Sequence, residues 1–255
     1  MTLLSDNPDT FKNIVPQISG DSFSDNPESR FTINMLDGSE VVTDTPSPLV
    51  QAYLKLRADV YIDQIQVLEE DRRRQDGTEI DKDDERSTHF VLLENKMGEV
   101  AVFGCMRLIE KSRQHNAPLP IEEFYPESFP KPARNGAIEV SRFIVRHPER
   151  RQRSLAKLNL IRAGLIHSLT NNLGPIFATI EPEFERDLRV SGVPTERVTE
   201  SKHIEEYNTT NFGISIDKIA LKRVMDAQKL TTDALNTTDE LFWGTVEAPQ
   251  EVVRS

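Results

Sequence analysis

The chain has 255 residues, with 42 Asp plus Glu against 31 Lys plus Arg and a formal net charge of −11. The excess of acid over base sits at the ends: residues 1–49 hold 8 acids and 2 bases, residues 226–255 hold 6 and 2, and the middle is close to neutral. That distribution argues against a general nucleic-acid binder, and a single cysteine, Cys105, excludes an internal disulfide.

A lone thiol fits a reducing compartment, and the first residues lack the basic and apolar regions of a secretory signal, so a cytoplasmic location is expected. Residues 1–45, rich in Ser, Asp, Asn and Pro, read as a mobile acidic arm with at most one short strand at FTINML. Next, TPSPLVQAYLKLRADVYIDQI reads as a helix, with Ser47 as N-cap and Pro48 as its first residue. Leu49, Tyr53, Leu56 and Val60 recur at helical spacing and predict one apolar face. A highly charged segment, 68–88, precedes two strands, HFVLLEN and EVAVFGCMRLIE, in a hairpin pattern. Residues 111–137 hold five prolines and predict a long irregular connection. IEVSRFIV, 138–145, reads as a core strand.

Beyond that strand, the basic turn RHPERRQR leads into a helix carrying Leu158, Ile161, Leu165 and Leu169 on one face. GPIFATIEP predicts a further strand, and EFERDLRVSG a short helix closed by Gly192. EEYNTTNFGISID supplies one or two last strands, and an acidic tail covers 226–255. The most apolar stretch, LNLIRAGLIHSL, contains Arg162 and is too short to cross a bilayer. The order of elements predicts an α/β (α+β) domain over 46–225, built on a mixed, mostly antiparallel sheet flanked by helices.

Three charged constellations stand out. Arg142, Arg146, Arg150, Arg151, Arg153 and Lys157 lie around a turn opposed only by Glu149, and they precede a helix N-terminus, which favours anions. A phosphate, an acidic protein surface or plain solvation would all suit them, and no glycine-rich phosphate loop accompanies them. Glu79, Asp81, Asp83, Asp84 and Glu85 form an acidic run that is not a calcium loop, since Arg86 and Leu92 occupy the positions where glycine and glutamate are required. Glu139 and Arg142 are charged residues on a core strand, three positions apart. They should face opposite sides of the sheet unless a bulge intervenes. His89, His115, His147, His167 and His203 show no metal-ligand spacing, and Cys105 reads as a small buried thiol.

Taken together, the motifs resemble the autoinducer (acyl-homoserine-lactone) synthase branch of the GCN5-related N-acyltransferase (GNAT) superfamily. RADVY, with Arg57, Val60 and Tyr61, is similar to the family's Arg-x-x-Val-Phe; GTEIDKDD, with Gly77, Glu79, Asp81 and Asp84, to its Gly-x-Glu-x-Asp-x-x-Asp. CMRLI supplies its Arg-Leu through Arg107, and EVSRF its Glu-x-Ser-Arg-Phe through Glu139, Ser141, Arg142 and Phe143. The four motifs fall in family order over roughly residues 50–195. Val67 stands where the family carries a tryptophan, and STHFVLLE with the proline-rich connection is closer to N-acyl amino acid synthases and exosortase-associated acyltransferases.

The resemblance implies a GNAT-like fold and an N-acyltransferase that moves a fatty acyl group from an acyl carrier protein or CoA thioester to the amine of a small amino-acid-like acceptor. No permanently bound cofactor or metal is expected. Glu139, with Ser141 and Arg142, is the expected catalytic group. Arg57, Tyr61, Asp81, Asp84, Arg107, Phe143 and Thr179 are expected at the substrates. Arg146, Arg150, Arg151, Arg153 and Lys157 are expected at the donor's phosphopantetheine or carrier. The alternatives are a non-catalytic acyl-binding protein on the same fold, or a lactone synthase proper.

Overall fold

The computed structural model of the chain describes residues 17–18, 31–96, 99–111, 117–129 and 133–234. In chain order its elements are β1 (Gln17–Ile18), β2 (Phe31–Asp37), α1 (Gly38–Val41), α2 (Pro48–Ala58), β3 (Ser87–Lys96), β4 (Glu99–Glu110), α3 (Pro120–Phe124), β5 (Ile138–Val145), α4 (Arg150–Thr170), β6 (Ile176–Ile180), α5 (Pro182–Val190), β7 (Thr195–Arg197), β8 (Lys202–Ile204), β9 (Thr209–Ile216) and α6 (Lys218–Ala234).

The strands form one sheet in the order β2-β3-β4-β5-β6-β9-β7, with β1 against β4 and β8 against β9. Every pairing is antiparallel except β5 with β6. Alternation along the strands divides the core. Met106, Leu108, Ile138 and Phe143 face α4 and α5, whereas Val91, Val102, Cys105 and Ile144 face α2. A third cluster around Ile109, Ile121 and Phe177 packs α3 onto the α2 side.

Local chemistry starts the helices where the sequence indicates. The Ser47 hydroxyl accepts from the Val50 N–H at 3.3 Å, with Pro48 following it. The single-face reading of α2 is too narrow: Leu54, Arg57 and Ala58 are buried as well as Tyr53 and Leu56, while Gln51 and Lys55 stay exposed. It then widens into a π-helical segment, Asp59–Gln64, which carries Val60 and Tyr61. Such widenings recur at functional sites.

Three boundaries differ from expectation. The FTINML strand extends over Phe31–Asp37 and pairs along its whole length with β3, so this part of the expected arm belongs to the sheet. Most of the rest of that arm, 1–16 and 19–30, lies outside the described residues, as does 235–255 of the expected tail. The connection 111–137 contains α3, whose N-cap is fixed by Glu122: its carboxylate accepts from Leu119 N–H at 2.7 Å and pairs with buried Lys111 at 2.6 Å. Finally, α4 begins at Arg150, so Arg150, Arg151 and Arg153 sit in its first turn instead of in the loop before it.

Candidate active site

The site is organised by a fault in β5. Cys105 of β4 opposes Ile144, and Arg107 opposes Ser141, so Met106 alone faces two residues, Arg142 and Phe143. This is a β-bulge. Arg142 takes a φ of 49°, a left-handed conformation that costs a side-chain-bearing residue roughly 1–2 kcal/mol. The extra residue shifts the alternation by one position. Glu139, Ser141 and Arg142 all lie on the α2 side, while Phe143 drops to the α4 side and packs on Phe184 at 5.7 Å between ring centroids.

Beneath them lies a buried network of three guanidinium groups and three carboxylates. Arg57 grips Asp84 with two nitrogens, at 2.6 and 3.0 Å, and donates through Nε to Glu79 at 2.6 Å. Arg107 binds Asp81 at 2.6 Å and Asp84 at 2.7 Å, and its Nε donates to the Ser141 hydroxyl at 2.9 Å. Arg142 binds Glu79 and Asp81, each at 2.9 Å, and sits 5.2 Å from the centre of the Tyr61 ring. Buried charges are tolerated only when matched and hydrogen-bonded, and here the two signs balance.

The carboxylates respond accordingly. Burial by itself would raise Asp84, yet Arg57 and Arg107 hold it down at about 2. Burial likewise opposes ionisation of Asp81, but Arg107 and Arg142 keep it well below its ordinary value. His89 goes the other way: burial lowers it to about 4, leaving it neutral. Its Nε2 faces the Asp84 carbonyl oxygen at 3.0 Å and its Nδ1 the Tyr53 hydroxyl at 2.8 Å. A carbonyl only accepts, so Nε2 carries the proton.

Above the network opens a cavity of about 280 Å³, with Asp81, Arg107, Glu139, Ser141, Arg142 and Thr179 in its polar wall. Ile65, Val67, Leu68, Phe124 and Tyr207 form an apolar wall. Among the described residues, Glu139 is the one cavity carboxylate with no cationic side chain bound to it, since Asp81, Asp83, Glu123 and Glu206 each pair with an arginine or lysine. Its Oε2 accepts from the Ile121 N–H at 2.7 Å and its Oε1 from the Thr179 hydroxyl at 3.1 Å. Burial pushes its carboxyl up to about 8, against the lowering effect of those two donors. The cavity also meets the point where the sheet opens. The last β5–β6 pair is Val140 with Ala178, so Ser141–Val145 have no β6 partner on that edge.

Residues 56–159 match the acetyltransferase (GNAT) domain family. The matched stretch runs from the end of α2 through β5 into α4. Solved structures with the same fold include the AHL synthase LasI, with a TM-score of 0.56 and 20% identity over 74% of this chain and 91% of that one. BjaI, a CoA-dependent acyl-homoserine lactone synthase solved with SAM and isopentyl-CoA, gives 0.59 and 18% over 86% and 95%. MesI, a second CoA-dependent acyl-homoserine lactone synthase, gives 0.55 and 16% over 78% and 94%. At these identities the likeness is one of fold. No curated protein matches the chain.

The expected site residues fall into three places. Tyr61, Asp81, Arg107, Glu139, Ser141, Arg142 and Thr179 line the cavity together. Arg57 and Asp84, expected at the substrate, are fully buried and stand behind the cavity wall, because each is enclosed by its ion-pair partners. Phe143 is turned by the bulge into an apolar pocket on the opposite face. The basic cluster does not act as one surface. Arg146 is buried, and Lys157 is bound to Asp187 at 3.0 Å, whereas Arg150 and Arg151 are exposed.

Sequence reasoning left Tyr207, Phe124, Glu123 and Glu206 out of the cavity, since each comes from a segment with no motif. The one available signal was aromatic content within otherwise polar turns. Among the described residues there is no group of three or more His, Cys, Asp or Glu able to hold a metal ion, and no helix is long and apolar enough to cross a membrane.

Proposed function

We propose that the protein is an N-acyltransferase that moves a fatty acyl group from an acyl carrier protein or acyl-CoA thioester to the amine of a small, amino-acid-like acceptor. The observation that carries this reading is Glu139: a buried carboxyl, raised to about 8, at the floor of a cavity that meets the opening between β5 and β6. An acceptor amine must lose a proton before it can attack, and a carboxylate with an affinity near the working pH is suited to take it.

The steps balance as follows. The ammonium group of the acceptor gives one proton to Glu139. Its lone pair then attacks the thioester carbonyl carbon, and the carbonyl oxygen takes up negative charge. Backbone N–H groups on the β6-facing edge of Ser141–Val145 suit that oxyanion, because β6 leaves this edge unpaired. Collapse expels the thiolate, which takes the second proton that the attacking nitrogen loses, giving the amide and the free thiol; Glu139 then releases the first proton to solvent.

The other residues take supporting roles. Asp81, at 12% exposure, and Arg107 offer the acceptor one charge of each sign at the edge of the network. Tyr61 covers Arg142 from the cavity side. Arg57 and Asp84 are positioning residues that act through Glu79, Asp81 and Arg107. The exposed Arg150 and Arg151, in the first turn of α4, suit the donor's phosphate or an acidic carrier surface. A small apolar pocket on the α4 side shares Val140 with the reaction cavity and suits the first carbons of the acyl chain.

Mass spectrometry of lipid extracts from cells expressing the protein tests the proposal. A new N-acyl product that disappears with Glu139→Gln supports it. Unchanged extracts from the wild type, or full product from the folded variant, overturn it.

A further inference from the structure

Lys111 closes a ring of contacts around Glu139. It follows β4 and runs beside the chain that enters β5: its N–H donates to the Ala137 carbonyl at 2.9 Å, and its own carbonyl accepts from Gly136 N–H at 2.8 Å. Ile109 of β4 pairs with Glu139, so alternation puts the Lys111 side chain on the Glu139 side of the sheet. There its ammonium group meets both oxygens of Glu122, at 2.6 and 2.8 Å, and each of the two side chains is 6% exposed.

Glu122 ties this lysine to α3. Its Oε2 accepts from Leu119 N–H at 2.7 Å and its Oε1 from Ala133 N–H at 2.6 Å. Burial opposes its ionisation, yet Lys111 and these two N–H groups hold its carboxyl below its ordinary value. The residue before it, Ile121, supplies the N–H that reaches Glu139 Oε2 at 2.7 Å. Pro120 has no N–H, so Ile121 is the first donor of α3, and the first turn of a helix leaves such donors without an internal partner. The ring then runs from Glu139 to Ile121, from Glu122 to Lys111, and from Lys111 to Ala137, two residues before Glu139.

Leu119, Ile121 and Tyr125 press α3 onto the sheet. Apolar contact has no direction, whereas a hydrogen bond weakens steeply once its donor turns away. The buried ion pair is the directional link between α3 and the strand that carries Glu139.

We propose that Lys111 and Glu122 are positioning residues for acyl transfer: their ion pair holds α3 so that the Ile121 N–H stays on Glu139 and keeps its carboxylate available as base. This rests on the reading above, in which Glu139 takes the proton of the acceptor. Neither residue lines the cavity, so both act through Ile121. The ionisable groups facing Glu139 are Asp83, which opposes its ionisation, Arg107, which favours it, and Tyr125 and Tyr207, whose hydroxyls respond to its charge. All four are left unchanged in the test.

The test reads the Glu139 carboxyl directly. Wild type, Lys111→Met, Glu122→Gln and the double variant Lys111→Met with Glu122→Gln are prepared with isotope-labelled glutamate, and circular dichroism checks their folding. The Glu139 carboxyl signal is assigned by its loss in Glu139→Gln and titrated by NMR. N-acyl product is measured in extracts of cells expressing each chain. The single variants leave opposite charges unmatched, Glu122 in one and Lys111 in the other, so a purely electrostatic influence would displace the midpoint in opposite directions. Loss of the positioning pair is expected to displace both towards alkaline pH by roughly one unit, the effect of taking one N–H donor from a carboxylate. The double variant leaves no unmatched charge, which favours its folding, and is expected to show the same displacement.

An unmoved midpoint in the folded double variant overturns the proposal, and so do opposite displacements in the two single variants. Alkaline displacement in a protein whose wild type makes N-acyl product supports it. The same displacement with no N-acyl product from the wild type supports the ring of contacts and overturns the acyl-transfer reading instead.

Discussion

Glu139 and Arg142 stand three residues apart on one strand, yet both line the same cavity, because Arg142 is the extra residue of a β-bulge and adopts a φ of 49°. On a regular strand one of them would have entered the α4-side core. The bulge joins a proton-accepting carboxyl to an ion-pair network that fixes the wall beside it, and several outcomes depend on that junction.

Activity should rise with pH through about 8. Glu139 can accept a proton only when ionised, and its carboxyl is raised to that value by burial. The pH dependence of kcat/KM measures this, and a profile already flat by pH 6 would remove Glu139 as the base. Stability runs in the opposite sense. The unfolded carboxyl ionises near 4.5 and the folded one near 8, so the wild type loses stability across that interval. Glu139→Gln should flatten this part of its denaturation curve against pH.

Thr179→Val should displace the same activity profile further towards alkaline pH. The Thr179 hydroxyl donates to Glu139 Oε1 at 3.1 Å and favours the ionised form, so removing it weakens the acid. Valine keeps the shape of the side chain. The readout is the midpoint of the kcat/KM profile, and a midpoint that stays in place or moves to acid pH contradicts the assignment.

Arg57→Met should cost about 3–5 kcal/mol of stability, because buried Asp84 would lose its two-nitrogen clamp and buried Glu79 one of its two cations. Urea denaturation of the variant reads this directly. The network also predicts acid sensitivity. The contribution of Asp84 is present above its unfolded value of 3.8 and is lost as the pH falls towards about 2.

Cys105 should resist iodoacetamide in the folded protein and react once the chain is denatured. It is fully buried, burial raises its thiol to about 12, and its sulfur faces the Arg142 carbonyl at 3.3 Å. Labelling followed by intact-mass measurement distinguishes the two states. Rapid labelling of the native chain would show that the bulge opens readily.

Much of the fold was legible because it rests on local rules. The Ser47–Pro48 helix start, the β3–β4 hairpin and the close of α5 at Gly192 with a φ of 75° all follow from short-range chemistry. The limits of legibility are equally specific. Ser141 alternates with Glu139 as a strand requires, but nothing in IEVSRFIV marks where the alternation slips. A bulge is fixed by what both strands must bury. Arg142 accepts the left-handed backbone because Glu79 and Asp81 await its guanidinium and Phe143 fills the opposite core. Arg57 and Asp84 illustrate the same limit: their motif identified them as important, and only the packing showed them enclosed behind the wall.

The sequence by itself determined the elements, their order and the inventory of charged groups, because capping, periodicity and residue type act over a few positions. The tertiary structure alone decided which charges touch, which carboxyl keeps a raised proton affinity, and where α6 meets the apolar pocket. Those properties depend on burial and on partners far apart in the chain, 63 residues for Arg142 and Glu79, and no local pattern in the chain encodes them.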